Sequence, residues 1–396
     1  MAETTMKILW FPRLQADVDR LHIVTWRAVS QVLLDRGHDL RLVVTGKPDG
    51  FPPGVLVSLP VWNFKGGRLL VLWLLGPLLA WHLGRRFHPD VVILDPFTSW
   101  FARLWPRRSG NRPVLISDHR TPSDHFFLDR TPLRGSRLRK YLDRLDWKRL
   151  GSHLDGATVI SDHYRGLILN RYHVDPQRIA VWGSGVDPLF LTPIPPKPSS
   201  SDPAQPLVLM QHGEWSFNRG LLETVTAVDL CRSIDLHLIL LGQGPAATAL
   251  EQAIRSSGTP QRFTLQPSVP HGQVLPWIDG ADIAVMAYPA GEYWNCNCPI
   301  KLVEYLARGK VVIATDMPGF REVTGDLPGI YWLKTPIPDP QEIAEAIRTI
   351  AREPLEWRRA ALDGQERMSK EFTWSRQTER LLAFLGRRRA DKQDKR

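Results

Sequence analysis

Short apolar runs, each stopping at a polar residue and each followed by a helical pattern, recur along this chain and constrain its fold more than any other feature. "MKILWFP" leads into "RLHIVTWRAVSQVLLDRGHDLRLVV", which reads as strand, helix, glycine turn and second strand. "PDVVILDP", "PVLISDH" and "DGATVIS" follow with helical stretches between them, and "RIAVWGSGVDPLFL" closes this half. After a Pro/Ser-rich stretch, "TPIPPKPSSSDPAQP" at 192–206, the alternation restarts with "PLVLMQHGEW", "RGLLETVTAVDLCRS" and "LHLILLGQGP", then "RFTLQPSV" and "ADIAVMAYP". Strands that alternate with helices make parallel sheets. The expected fold class is α/β, with two doubly wound, Rossmann-like domains at 1–195 and 207–372 joined by a linker at 196–206. Ligands of such sheets sit outside the carboxyl ends of the strands, so a cleft between facing domains is the expected site.

Composition excludes several alternatives. With 396 residues, 43% hydrophobic and 23% charged, the chain has material for two cores. Its three cysteines, Cys231, Cys296 and Cys298, cannot build a disulfide framework, which fits a reducing cytoplasm. Cys296 and Cys298 have no partner pair at zinc-ligand spacing, so no metal and no cofactor is expected. The formal charge of +10 gathers in "RRFH", "WPRRSGNRP", "RTPLRGSRLRKYLDRLDWKRL" and the tail "GRRRADKQDKR". Solvated loops account for it, and so does an anionic membrane face; no nucleic-acid motif accompanies it. The most apolar stretch, "RLLVLWLLGPLLAWHLGRRF" at 68–87, is interrupted at Gly76-Pro77 and is too short to span a bilayer. It reads as a buried crossover helix, which the pattern favours, or as an interfacial segment.

The stretch "CPIKLVEYLARGKVVIATD" at 298–316 raises the chemical question. Pro299 suits a first helical turn, Ile300, Val303, Leu306 and Ala307 recur at helical spacing, and Gly309 ends the helix before a buried strand. Lys301 and Glu304 share one face, and on spacing alone they read as a solvated ion pair. Two other strand ends change the context. "HGEWSFNRG" places Arg219 at a helix start, and "LGQGP" makes a tight turn at Gly242. A helix N-terminus beside a guanidinium suits a diphosphate, and Glu304 is placed to accept the hydroxyls of a ribose. No G-x-G-x-x-G follows the first strand, and neither a P-loop nor a G-x-S-x-G elbow occurs, which argues against a dehydrogenase, a P-loop NTPase and a serine hydrolase.

In order and spacing, "HPDVVIL", "DGATVISDHYRGLILNRYHVDPQRIAVWGSGVDPLFLTP", "HGEWSFNRG", "LILLGQGP", "ADIAVMAYP" and "CPIKLVEYLARGKVVIATDMPGFREV" resemble family 4 glycosyltransferases, retaining enzymes of the GT-B fold. The resemblance covers nearly the whole chain. It implies a nucleotide-sugar donor held by the second domain and a glycan, lipid-linked or small-molecule acceptor held by the first. The pattern "WSRQTERLLAFLGRR" adds a helix at 373–386, expected to pack back towards the first domain, ahead of a basic, disordered tail at 387–396. Glu304 matches the second glutamate of the family's Glu-x7-Glu motif, which holds the ribose. Arg219 stands where the family has a diphosphate-binding basic residue, Gly213 matches the glycine of the first loop, and Lys301 adds charge near the phosphates. The expected catalytic set is His119, Arg219 and Lys301. The expected donor set is Gly213, Arg219, Gly242, Lys301 and Glu304, with Glu292 and Asn297 as candidate sugar contacts. Two positions depart from the pattern: Cys296 replaces the first glutamate, and Glu214 stands where many relatives carry a second phosphate-binding arginine.

The expected activity is therefore retaining sugar transfer in glycan or cell-envelope biosynthesis, in the cytoplasm or at the inner face of the membrane. Rival readings are a GT-B epimerase or phosphorylase, and a nucleotide-sugar-binding protein of impaired catalysis.

Overall fold

The computed structural model describes residues 5–12, 21–62, 64, 67–105, 112–120, 136–194 and 206–394. They form two compact units, Met1–Gly183 with Trp374–Arg396, and Ser184–Thr373. The linker of the sequence reading lies outside the described residues except for Pro206, as do Arg107, Arg108, Arg134 and the side chains of 136–140.

The first unit runs β1 (Lys7–Phe11), α1 (Leu21–Asp35), β2 (Asp39–Thr45), β3 (Leu56–Leu59), α2 (Gly67–Phe87), β4 (Val91–Leu94) and β5 (Val114–His119). It continues with α3 (Ser136–Arg149), β6 (Gly156–Val159), α4 (Asp162–Tyr172) and β7 (Ile179–Val181). All strand pairs are parallel, in the order β3-β2-β1-β4-β5-β6-β7, so the winding reverses between β1 and β4. β4 and β5 are buried at every position, which is why they read as unbroken apolar runs.

The second unit runs β8 (Leu207–Glu214), α5 (Leu221–Leu230), β9 (Leu236–Gln243), α6 (Ala247–Ser256), β10 (Phe263–Pro267), α7 (Leu275–Gly280) and β11 (Ile283–Met286). Then come α8 (Glu292–Asn295), α9 (Ile300–Ala307), β12 (Val311–Thr315), α10 (Pro318–Thr324), β13 (Ile330–Leu333), α11 (Pro340–Arg352) and α12 (Pro354–Glu371). Its parallel sheet has the order β10-β9-β8-β11-β12-β13, with the winding reversed between β8 and β11. The switch point therefore lies at the carboxyl end of β8, beside Gly213.

The chain ends in α13 (Trp374–Gln393), which belongs to the first unit. Trp374, Leu381, Leu382, Phe384 and Leu385 are buried, and a Cβ on Gly156 at the start of β6 would lie 2.7 Å from the Phe384 ring. The segment 387–396, expected to be disordered, is helical as far as Gln393, because Arg389 pairs with Asp90 at 2.8 Å and Lys392 with Asp155 at 3.0 Å. The division between units falls at Gly183 and not at residue 195. Residues 184–194 are fastened to the second unit: the Ser184 hydroxyl donates to the Cys298 carbonyl at 2.5 Å, and Arg308 donates to the Phe190 and Thr192 carbonyls.

The apolar stretch 68–87 also differs from expectation, since Gly76-Pro77 does not interrupt it. α2 runs through Pro77. Gly76 serves packing: a Cβ there would lie 2.7 Å from the Phe101 ring. One side of α2, with Val71, Leu72 and Ala80, joins a core with Leu9, Phe11, Val92 and Leu94, while its other side is exposed. Among the described residues no helix is long and apolar enough to cross a membrane.

Candidate functional site

α9 is buried along its whole length, so Lys301 and Glu304 are not a solvated pair. Pro299 is its N-cap, with extended ψ of 122°, and does not belong to the first turn. Gly309, with φ of +58°, follows the C-cap Arg308 and turns the chain towards β12 as its sequence position implies.

Glu304 is 0% exposed and each of its carboxylate oxygens meets an imidazole: Oε1 lies 2.5 Å from His271 Nε2, and Oε2 lies 3.2 Å from His212 Nε2. Tyr305, the next residue on α9, holds His212 from the other side. Its hydroxyl accepts from the His212 backbone N–H at 3.0 Å and lies 2.7 Å from Nδ1. A tyrosine donating to Nδ1 leaves the His212 Nε2–H to donate to Glu304, which is the neutral tautomer. Burial pushes His212 below its ordinary pKa against the pull of Glu304, in agreement with that tautomer. Burial opposes ionisation of Glu304, but the hydrogen bonds from His212 and His271 outweigh it and hold the carboxyl down at about 2.

Lys301 has the opposite situation. Its side chain is 7% exposed, and Nζ has no hydrogen-bond partner among the described residues. The ammonium lies against the backbone of Gly213, where a Cβ would come within 1.9 Å of Nζ. Gly213 has φ of +108°, a conformation L side chains rarely adopt, so glycine is required there on both counts. Burial, reinforced by the nearby Arg219 guanidinium, pushes Lys301 well below the ordinary lysine pKa, with Glu304 and Glu214 pulling the other way.

Arg219 lies immediately before the N-cap of α5, Gly220, which provides no side-chain acceptor to the first helical N–H groups. The Gln211 side chain donates to the Arg219 carbonyl at 2.8 Å, fixing the backbone. The guanidinium donates to Glu214 at 3.1 Å and to the Ser216 hydroxyl at 3.1 Å, and stands 5.4 Å from the Trp294 ring. Arg219 is therefore neutralised in part by its hydrogen bond to Glu214, while no carboxylate among the described residues hydrogen-bonds to Lys301. Gly242 packs β8 against β9: the two glycines are paired in register, and a Cβ on Gly242 would meet the Gly213 carbonyl at 1.8 Å.

Gly213, Arg219, Gly242, Lys301 and Glu304 are thus brought together at the carboxyl end of β8. Glu292 is exposed at the start of α8, in the same short helix as Trp294, which places that loop beside Arg219. Asn297 donates to the Tyr293 carbonyl at 2.6 Å. Cys296 is buried, and burial, then Glu292 and Glu322, pushes its thiol up to about 12, so it is neither a carboxylate substitute nor a proton donor of useful strength. His119 ends β5 in the first unit. Its ring is buried on Trp147, with centroids 4.1 Å apart, and Nε2 lies 2.7 Å from the Ser117 hydroxyl, which donates to Asp146 at 2.9 Å. Sequence reasoning missed His212, His271 and Tyr305. No spacing marks them, because strand order brings them to Glu304.

In doubly wound sheets ligands bind at the switch point outside the carboxyl ends of the strands, which is where these residues gather. Residues 24–189 match the model of Glycosyltransferase Family 4, and residues 207–353 match that of Glycosyl transferases group 1. The chain belongs to the family 4, group 1 glycosyltransferases and has the GT-B fold. Sucrose-phosphate synthase from Thermosynechococcus elongatus is similar in structure, with a TM-score of 0.75 over 95% of this chain and 97% of that one at 14% identity. A glycosyltransferase from Rickettsia africae gives 0.70 over 97% and 98% at 14% identity. Anabaena HepE in complex with UDP and glucose gives 0.69 over 96% and 100% at 16% identity. No curated protein sequence matches the chain.

Proposed function

We propose that this glycosyltransferase takes a nucleotide-diphosphate sugar as donor and transfers the sugar, with retention, to a glycan, lipid-linked or small-molecule acceptor. The observation that carries the donor assignment is the buried Lys301 amine, unpartnered and pressed against Gly213 at the switch point. A buried lysine beside an arginine is unfavourable until an anion arrives, and a diphosphate fits that requirement. The relative crystallised with UDP and glucose supports the same class of ligand.

In this reading the diphosphate lies by Gly213 and the first N–H groups of α5, between Arg219 and Lys301. Sugar transfer breaks the C1–O bond through an oxocarbenium-like state, and negative charge grows on the leaving diphosphate. Both cations then bind the leaving group more strongly than the intact donor, which accelerates departure. Glu304 takes the ribose hydroxyls, exchanging the His271 hydrogen bond for them. With a buried thiol at Cys296, we assign the exposed Glu292 to the sugar. His119, expected to be catalytic, is buried on Trp147, and we assign it a positioning role in the acceptor-side unit instead.

Calorimetric titration with UDP-, GDP- and ADP-sugars, followed by NMR of the product anomer, tests the proposal. One nucleotide series should bind, and the product should keep the donor's anomeric configuration. Absence of binding by all three series would remove the donor assignment, and an inverted product would remove retention.

A further inference from the structure

α2 contains no acidic residue, and it keeps large apolar side chains in water. Leu70, Leu74, Leu78 and Trp81 are 43%, 54%, 66% and 52% exposed. Their spacing of four, four and three residues places them in one stripe, about 16 Å long at the helical rise. The opposite side already fills the core, so no rotation of the helix inside the unit can bury the stripe. Trp62 and Phe64, also exposed, stack at 6.1 Å by the N-terminal end of the same helix, where a Cβ on Gly67 would touch both.

Charge at the other end identifies the partner. Arg85 and Arg86 occupy the last turn, both exposed, and the Arg85 guanidinium lies 4.6 Å from the Trp81 ring. Trp81 and Arg85 then form one wall of a cavity of about 740 Å³ that also receives His88, Arg389 and Lys392. Arg389 and Lys392 are paired with Asp90 and Asp155, so the unpaired charge facing outward belongs to α2. A symmetric pairing of α2 with α2 of a second copy would offer no carboxylate to receive Arg85 and Arg86, since the helix has none. An interface of hydrocarbon below phosphate accommodates both the stripe and the arginines.

We propose that the outward face of α2 docks the protein on a bilayer carrying anionic phospholipid. Leu70, Leu74, Leu78 and Trp81 enter the boundary of the acyl chains, and Arg85 and Arg86 meet headgroup phosphates. The helix lies along the surface, consistent with its not being apolar enough to cross. This inference is independent of the donor assignment.

The test uses the full chain and vesicles of phosphatidylcholine alone or mixed equally with phosphatidylglycerol. The wild type should co-sediment with the mixed vesicles, bind the neutral ones at least about tenfold less, and be released by salt. Leu74→Glu/Leu78→Glu should weaken partitioning more than about tenfold, and Arg85→Ala/Arg86→Ala by about fivefold per arginine. Both double variants should keep the wild-type melting temperature and nucleotide-sugar affinity, which separates failure here from failure of the donor reading. Wild-type protein that ignores mixed vesicles, or a Leu74→Glu/Leu78→Glu variant that binds them fully, would overturn the proposal. So would a dimer in light scattering that the same variant dissolves, since a second copy would then occupy the face.

Discussion

Replacing Lys301 by methionine should move stability and donor affinity in opposite directions. Methionine keeps the length and apolar stem of lysine but has no amine to leave unpaired against Gly213. A buried polar group without a partner costs about 1–3 kcal/mol, so ligand-free Lys301→Met should be more stable by about that amount. The pH dependence has a definite sign. Because Lys301 titrates well below its ordinary value when folded, the unfolded chain binds more protons between the two pKa values. Stability therefore rises with pH through that window in the wild type, and this contribution disappears in the variant. Donor binding reverses the balance. A diphosphate about 4 Å from the ammonium gains about 4 kcal/mol at an effective dielectric constant of 20. Recharging the amine takes back roughly half, leaving about 2 kcal/mol, or some thirtyfold in Kd. Above the pKa of the free site, binding must also take up a proton, so affinity falls as pH rises. Calorimetry in HEPES and Tris buffers, which differ in ionisation enthalpy, measures this uptake from the difference in apparent enthalpy, and thermal melts supply the stability. Equal donor affinity in wild type and variant would refute the reasoning, as would wild-type binding without proton uptake throughout the alkaline window.

Three other outcomes follow from the same site. Glu304→Gln should weaken nucleotide-sugar affinity by about 2 kcal/mol. It should also flatten acid denaturation: the folded pKa of about 2 gives wild-type Glu304 a stabilisation that is complete above its unfolded value and lost as pH falls through the folded one, on the order of 3 kcal/mol. A urea series from pH 5 to about 2 checks this, and parallel curves would contradict the role of the histidines. Gly213→Ala should reduce donor affinity more than Lys301→Met and lower the melting temperature, because its Cβ displaces the amine and its φ is strained; an unaltered melt would count against the crowding. Cys296, buried with its thiol raised to about 12, should resist iodoacetamide at neutral pH in the native protein and react after unfolding, as mass spectrometry of the peptide would show.

The parallel sheets were legible because their buried strands are continuous apolar runs broken by glycines, and such strands need little tertiary information. The order of the loops put Arg219 and Glu304 at one rim, and the family resemblance added Gly213 and Lys301. Their environments were not legible. Three-residue spacing cannot distinguish a helix face in water from one turned into a site, so Lys301 and Glu304 resembled a surface pair until α9 was seen to be buried. Nor does sequence distance connect His212 and His271 to Glu304, since the contact arises only once the sheet places β8 at the switch point. The helix from 373 was legible from its apolar stripe, Trp374, Leu381, Leu382 and Leu385, but its continuation past 386 was obscured by the arginines there. The linker composition at 192–206 drew attention past Gly183 because the bonds fastening residues 184–194 to the second unit leave no trace in local sequence.

The discontinuity of the first unit bears on the order of events during synthesis. Ser184–Thr373 is one uninterrupted stretch and can fold as soon as it leaves the ribosome, whereas the earlier-made sheet waits for α13, which emerges after the whole second unit. Until then α1, β5 and β7 lack the cover of the helix that packs on them, whose Leu381, Leu382, Phe384 and Leu385 are buried in the finished unit. A nascent chain stalled before residue 374 would carry a finished second unit and an unfinished first one, the part most in need of a chaperone. A circular permutant that begins with α13 and continues into β1 would supply the cover first and release the first unit from that wait.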